Sequence, residues 1–277
     1  MIKILVDSTS DCRNNAALYD GVIPITVTMG ETSYLDDVNL DADAFYKLLT
    51  ESKFFPQTAQ PSPQQFADVF SQAKENSDEV IYFALSSALS GTYQSAMIAK
   101  GLADYDKIHI IDTKTATHGI NLLAGYAVTL VKQGKTAEEI VRICEDLKGR
   151  VKILAAVDTL EYLHRGGRLS KAAARVGELT KIKPIITVTT EGTVSIIGKA
   201  LGKASAKQHL LKQLASLSID KDFPLYSLYT YGTENCLAFE KAMEEKGFPV
   251  SDRLQIGASI GAHVGPGAYG VLFVTTK

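Results

Sequence analysis

The chain reads as an α/β protein of two units: an amino-terminal three-layer α/β/α unit built on a parallel sheet, then a carboxy-terminal two-layer α/β unit with a mixed sheet. Two observations predict this. The first half alternates short apolar runs with capped helical patterns, as strand-helix-strand units require. After about residue 155 the pattern changes to a hairpin followed by helices and further strands.

Candidate strands in the first half are Lys3 to Val6, Val22 to Val27, Glu79 to Leu85, Lys107 to Ile111 and Val151 to Val157. Several carry apolar residues at consecutive positions, as strands covered on both faces do. The helices between them have legible starts. Ser62-Pro63-Gln64-Gln65 combines an N-cap serine, proline at the first helical position and a glutamine three residues after the cap. Thr136-Ala-Glu-Glu139 repeats that logic. In the second half, Ile185 to Thr189 and Val194 to Ile197 flank Glu191-Gly192 as a hairpin. A helix, a strand around Leu225 to Thr230, another helix and two closing strands follow. The expected division is residues 1–155 and 156–277, packed closely, with a ligand in the cleft between them.

Composition excludes several classes. With 277 residues, 45% of them hydrophobic, the chain can bury a substantial interior. A net charge of -2 provides no broad basic field for nucleic acid or anionic membrane. Cys12, Cys144 and Cys236 are far apart and odd in number, which suits reduced packing residues in a cytoplasmic protein. The amino terminus meets a charge too soon for a signal peptide, and no apolar run reaches membrane length.

Conventional catalytic motifs are missing too. His109, His118, His164, His209 and His263 make no metal-ligand spacing, so no metal site is expected. No Gly-x-x-x-x-Gly-Lys-Ser/Thr loop cradles a nucleotide, and no Gly-x-Ser-x-Gly elbow presents a nucleophile. Asp7-Ser-Thr-Ser-Asp11 lacks the second acid of a phosphoryl-transfer motif at Thr9 and reads as a turn whose side chains cap local amides.

Hydroxyls instead gather at the carboxyl ends of the predicted strands, where an open parallel sheet holds its ligands. Thr58-Ala-Gln-Pro-Ser62 precedes one helix, and Ser86-Ser-Ala-Leu-Ser90-Gly91-Thr92 precedes another. A helix start there offers amides to an anion, and the same residues also serve as N-caps, the reading favoured for Ser62. Near the carboxyl terminus, five glycines of Ile256 to Phe273 surround His263. Gly265-Pro266-Gly267 reads as a shaped turn holding that histidine at a loop tip beside a cleft.

Taken together, Asp7-Ser8, Thr58-Ala-Gln-Pro-Ser62, Ser86 to Ala96, Gly166-Gly167-Arg168-Leu-Ser170 and His263-Val-Gly-Pro-Gly267 resemble the DegV family, in order and over nearly the whole chain. The resemblance implies a two-domain fold related to dihydroxyacetone kinase substrate subunits, and binding of a long-chain fatty acid with no cofactor. It further implies a carrier, not an enzyme, that presents the acid to a separate ATP-dependent fatty acid kinase for acyl-phosphate formation and phospholipid synthesis. Head-group residues carried over are Thr58, Ser90 and His263, with Gly91, Thr92 and Ser62 around them. Arg165 and Arg168 are candidates for docking the kinase.

An apolar tunnel suits that ligand. At roughly 0.8 kcal/mol per methylene, about fourteen methylenes supply a gross term on the order of 11 kcal/mol, so the tail dominates affinity and the head group orients. Ile120 to Val131 could wall such a tunnel, although core packing is its expected role. Two departures from the family pattern stand out: Ala59 where serine is common, and the stretch Gly198-Lys199-Ala-Leu201-Gly-Lys203, where an arginine is common among the basic positions. The rival reading is a dihydroxyacetone-kinase-like subunit whose His263 forms a covalent adduct with a small carbonyl compound. A long apolar cavity separates the first reading from the second, which needs a small polar one.

Overall fold

The computed structural model describes residues 1–169 and 182–277, without the side chains of residues 14–16. Ser170 of the Gly166–Ser170 motif lies outside the described residues. The first half runs β1 (Ile2–Asp7), β2 (Gly21–Ile23), β3 (Thr26–Met29), β4 (Thr32–Leu35), α1 (Ala42–Glu51), β5 (Gln57–Ala59), α2 (Pro63–Glu75), β6 (Glu79–Ala84), α3 (Thr92–Ala103), β7 (Ile108–Asp112), α4 (His118–Lys132) and α5 (Ala137–Lys148). The second half adds β8 (Val151–Ala156), α6 (Glu161–Arg165), β9 (Ile182–Val188), β10 (Val194–Leu201), α7 (Gly202–Ala215), β11 (Tyr226–Tyr229), α8 (Glu234–Glu244), β12 (Asp252–Gln255), α9 (Ala258–Val264) and β13 (Tyr269–Val274).

Strands β2-β1-β6-β7 form an all-parallel sheet covered on both faces. The pleat sorts its side chains. Leu5, Val80, Tyr82 and Ile108 pack against Phe66 and Phe70 of α2 and Ala96 and Ala99 of α3. Ile4, Val6, Ile81, Phe83 and Ile111 face α4 and α5 through Ile120, Leu123, Ile140 and Cys144. Both capping boxes form as the sequence predicts, Ser62 with Gln65 at the start of α2 and Thr136 with Glu139 at the start of α5.

The second sheet has the order β10-β9-β8-β13-β11-β12 and is mixed, with β11 and β12 parallel and its other neighbours antiparallel. One face carries α7 and α8, where Leu210, Leu214, Phe239 and Met243 meet Leu154, Ile185, Val271 and Phe273. On the opposite face Ile153, Leu228, Leu272 and Val274 join the cluster built on α4 and α5. Those two helices therefore lie between the sheets, and Ile120, Leu123 and Leu130 are core residues.

Two expectations are corrected. The strand at 151–157 forms, but as an antiparallel member of the second sheet, between β13 and β9. Its apolar residues fall on both faces, a pattern that any doubly covered strand shares, so the pattern does not identify the sheet. The sheets therefore divide before Val151. The run Val22 to Val27 is not one strand: Pro24 has no amide hydrogen for a ladder, and the chain leaves β2 there to enter β3. Strand β3 is the centre of a small antiparallel sheet, β4-β3-β5, that the sequence pattern did not reveal.

A candidate lipid site at the ends of the parallel strands

The segment after β1 folds as local capping requires. The Asp7 carboxylate accepts from Thr9 N (3.0 Å) and Tyr82 Oη (2.6 Å), and Ser10 Oγ donates to the Asp7 carbonyl (2.8 Å). Its role is structural. Asp7 is fully buried, and burial raises its pKa against those hydrogen bonds.

Beyond the ends of β1, β6 and β7 lies a cavity of about 380 Å³, within the range of small-molecule sites. Thr9, Leu85, Ser90 and Thr117 line it from the parallel sheet side, and Ile153, Ala155, Ile186, Leu228 and Gly270 from the inner face of the mixed sheet. Helix α9 closes it with Ile260, Ser259, His263 and Val264. The walls are chiefly aliphatic.

The polar end is assembled from distant segments. Strand β5 is held by β3, with Thr58 opposite Val27, and this pairing sets the Thr58 hydroxyl 2.9 Å from His263 Nε2. Gln60 reaches over the start of α3 and donates to Ser95 Oγ at 3.0 Å. Gly91 permits that path, since a Cβ there would lie 2.1 Å from Gln60 Oε1. Ser90 Oγ accepts from Thr92 N (3.2 Å) and lies 2.8 Å from Thr92 Oγ1. Thr92 is fully buried, so it positions Ser90 from behind.

His263 is not at a loop tip. It occupies the last turn of α9, and the chain reverses after it through Gly265 (φ +77°) and Gly267 (φ +79°), a left-handed pair that only glycine adopts freely. Small residues let this helix approach its neighbours: a Cβ on Gly261 would lie 2.4 Å from Tyr46 Oη. Gly166 is equally tight, since its Cβ would fall 2.1 Å from His263 Nδ1. Burial, and secondarily the charge of Arg168, push the His263 pKa down to about 4. The imidazole is therefore neutral at physiological pH. Nδ1 has no hydrogen-bond partner, so assigning the single proton to Nε2 makes the ring donate to Thr58 Oγ1. The Thr58 hydroxyl proton is then free for an acceptor in the cavity.

Arg168, expected on a docking surface, lies half-buried in the cavity wall. Its Nε donates to Leu89 O at 2.8 Å and its guanidinium also donates to Gly166 O. Sequence reading missed this because a glycine turn with two arginines does not specify which one folds inward. Arg165 does face solvent, paired with Glu161 at 2.7 Å and stacked over Phe55 with 3.9 Å to the ring centroid. Ser62 follows the capping reading and not the head-group one. It is exposed and engaged in capping α2, and it does not line the cavity. The structure thus brings together Thr58, Ser90, His263 and Arg168, supported by Gly91 and Thr92. Among the described residues no cluster of metal-binding side chains occurs, and no helix is long and apolar enough to cross a membrane. All three cysteines are buried and unpaired.

Residues 1–276 match the DegV family, whose members are described as uncharacterised proteins. The chain belongs to the DegV family. A DegV domain-containing protein of Caldanaerobacter subterraneus subsp. tengcongensis is 35% identical over 276 residues, 98% of each chain. A fatty-acid-binding DegV family protein from Thermus thermophilus superposes with a TM-score of 0.88 at 31% identity, covering 99% of both chains. A stearic-acid-binding protein from Eubacterium ventriosum gives 0.87 at 29% identity, covering 99% of this chain and 98% of that one. The DegV fold accounts for both sheets seen here.

Proposed function

We propose that this chain binds a long-chain fatty acid in the cavity and acts as a carrier. The observation that carries the reading is one aliphatic cavity with its hydrogen-bonding groups gathered around Thr58, Ser90, His263 and Arg168. A carboxylate needs replacement of its hydration by donors. Thr58 and Ser90 hydroxyls supply them, and Arg168 adds a fixed positive charge. The aliphatic walls suit a chain of methylenes, each worth roughly 0.8 kcal/mol when buried. A small carbonyl compound bound covalently to His263 would leave most of that apolar wall without a partner, so the adduct reading is not favoured.

A carrier must also release its cargo or present it. We propose that the carboxylate is offered to an ATP-dependent kinase that forms the acyl phosphate, with the exposed Arg165 beside the site as a docking residue. The chain has no nucleotide-binding loop of its own. Leu201, 72% exposed, adds no charge to such an interface.

Native mass spectrometry of protein purified from a bacterial host, followed by organic extraction, tests the binding. The expected result is near-stoichiometric fatty acid. Protein that arrives empty and takes up no saturated or unsaturated acid of any common length overturns the reading.

A further inference from the structure

Two buried carboxyl groups of the amino-terminal half meet the start of α9. Asp11 closes the turn after β1 and is 7% exposed, and Asp36 follows β4 and is 1% exposed. Among the described residues neither forms an ion pair. The donors around them are neutral: the Thr117 hydroxyl and the Gly257 amide for Asp11, the Ser259 amide (3.2 Å) and the Ser8 and Ser259 hydroxyls for Asp36. Neutral donors alone do not offset two buried negative charges. Burial raises both pKa values, that of Asp36 to about 7, and the charge of Asp36 raises Asp11 further.

The pair sits where α9 is anchored. Gly257 is the N-cap and has no side chain to satisfy the first amides, and a Cβ there would lie 2.5 Å from Asp11 Oδ1 and 4.0 Å from Asp36 Oδ1. Asp36 supplies the cap instead, from 223 positions away. One turn beyond Ser259, His263 meets Thr58. The two carboxyl groups thus hold the near end of the helix whose far end carries the head-group histidine.

We propose that Asp11 and Asp36 are positioning residues for the head-group site: they keep one proton between them, and that proton lets α9 stay seated with His263 on Thr58. This rests on the fatty-acid reading above. Losing the last proton leaves two neighbouring anions without a cation, and opening the segment at Gly257 admits water to both. The other groups around the pair do not supply that transition. Burial puts Tyr46, whose hydroxyl donates to the Ile256 carbonyl at 2.9 Å, well above its ordinary pKa and pushes Cys12 up to about 11. It raises Tyr229 too, while His118 on the Gln255 carbonyl and His263 are pushed down to about 4. Asp37 is raised by burial and lowered by Arg13, which pairs with Asp41 at 3.6 Å.

Displacement of a fluorescent fatty acid by stearic acid between pH 7 and pH 9.5 provides the test, on wild type, Asp11→Asn and Asp36→Asn. Each asparagine keeps an oxygen acceptor and puts an amide donor, which does not titrate in this range, in place of the proton. Above the last pKa of the pair, wild-type affinity should fall about tenfold per pH unit relative to either variant. Comparing the proteins at each pH cancels the behaviour of the acid itself. Carbon-13 NMR of the Asp11 and Asp36 carboxyl carbons, assigned by their loss in the variants, gives a readout without ligand: at pH 7 at least one should still be protonated in wild type. If stearic acid binds and the three pH profiles coincide, or if both carboxyl groups are ionised at pH 7, the positioning role is overturned and the fatty-acid reading stands. If wild type binds no fatty acid at any pH, both fall.

Discussion

Thr58 Oγ1 and His263 Nε2 meet at 2.9 Å across 205 positions of sequence, tying a three-residue strand to the helix that closes the cavity. The bond does two things at once. It holds α9 against the amino-terminal half and, on the proposed reading, orients the Thr58 hydroxyl for the carboxylate. Thr58→Ala and Ser90→Ala should each weaken fatty-acid binding by about 1 to 3 kcal/mol, since each removes a charge-assisted hydrogen bond while the tail remains buried. Partner-dependent phosphorylation should fall further than affinity, because displacing a carboxylate by about 1 Å can cost on the order of a hundredfold in rate. Wild-type affinity and turnover in both variants would place the carboxylate elsewhere.

Gly166 gives a second route to the same histidine. Its φ of -73° is ordinary for any residue, so Gly166→Ala adds no backbone strain. The new methyl would instead lie 2.1 Å from Nδ1 and 2.8 Å from Cε1 of His263, forcing the ring away from Thr58. Gly166→Ala should lower fatty-acid affinity about as much as His263→Ala. The double variant should lose no more than either alone, since both act through one bond. Additive losses in this cycle would show that Gly166 serves something other than the imidazole.

The two arginines of the glycine turn should separate cleanly. Arg165 is exposed, and its ion pair with Glu161 is worth little in water, so Arg165→Glu should leave fatty-acid binding intact while abolishing phosphorylation by the proposed kinase partner. Arg168→Leu removes the cation from the cavity wall. Affinity for the acid should drop several-fold, and the His263 pKa should climb from about 4 toward its ordinary value in an NMR titration, because one of its two depressing influences is gone. An unmoved His263 titration would contradict the proximity of the two side chains.

Much of this arrangement was legible in residues whose signals are local. The capping boxes at Ser62 and Thr136, the β1–β6–β7 strands and the Gly265-Pro266-Gly267 turn depend on neighbours a few positions away. The missed features depend on distance in sequence. Strands β4 and β5 have four and three residues, too few for a period to show, and β5 is defined by pairing with β3 rather than by its own pattern. Arg168 turns inward because Leu89 O, 79 residues away, accepts its Nε. The inner face of the mixed sheet becomes a cavity wall only when α4 and α5 space it from the parallel one.

His118 makes the acid stability of the fold a test of its packing. The ring is 5% exposed at the start of α4, its Nε2–H donates to the Gln255 carbonyl at 2.8 Å, and burial pushes its pKa down to about 4. Between about pH 6.5 and 4 the unfolded chain takes up a proton at this site that the folded chain refuses, so stability is lost as pH falls through that window. His263 acts in the same direction. Asp36 opposes them: burial raises its pKa to about 7, so the folded state holds the extra proton and gains stability as pH falls below that value. His118→Gln keeps a donor for Gln255 O and cannot become charged. With His263 and Asp36 common to both proteins, the variant should lose less stability than wild type between pH 7 and pH 4.5, by on the order of 2 to 3 kcal/mol. Urea unfolding at a series of pH values measures it, and parallel acid limbs for the two proteins would show that His118 takes up its proton without leaving its buried place.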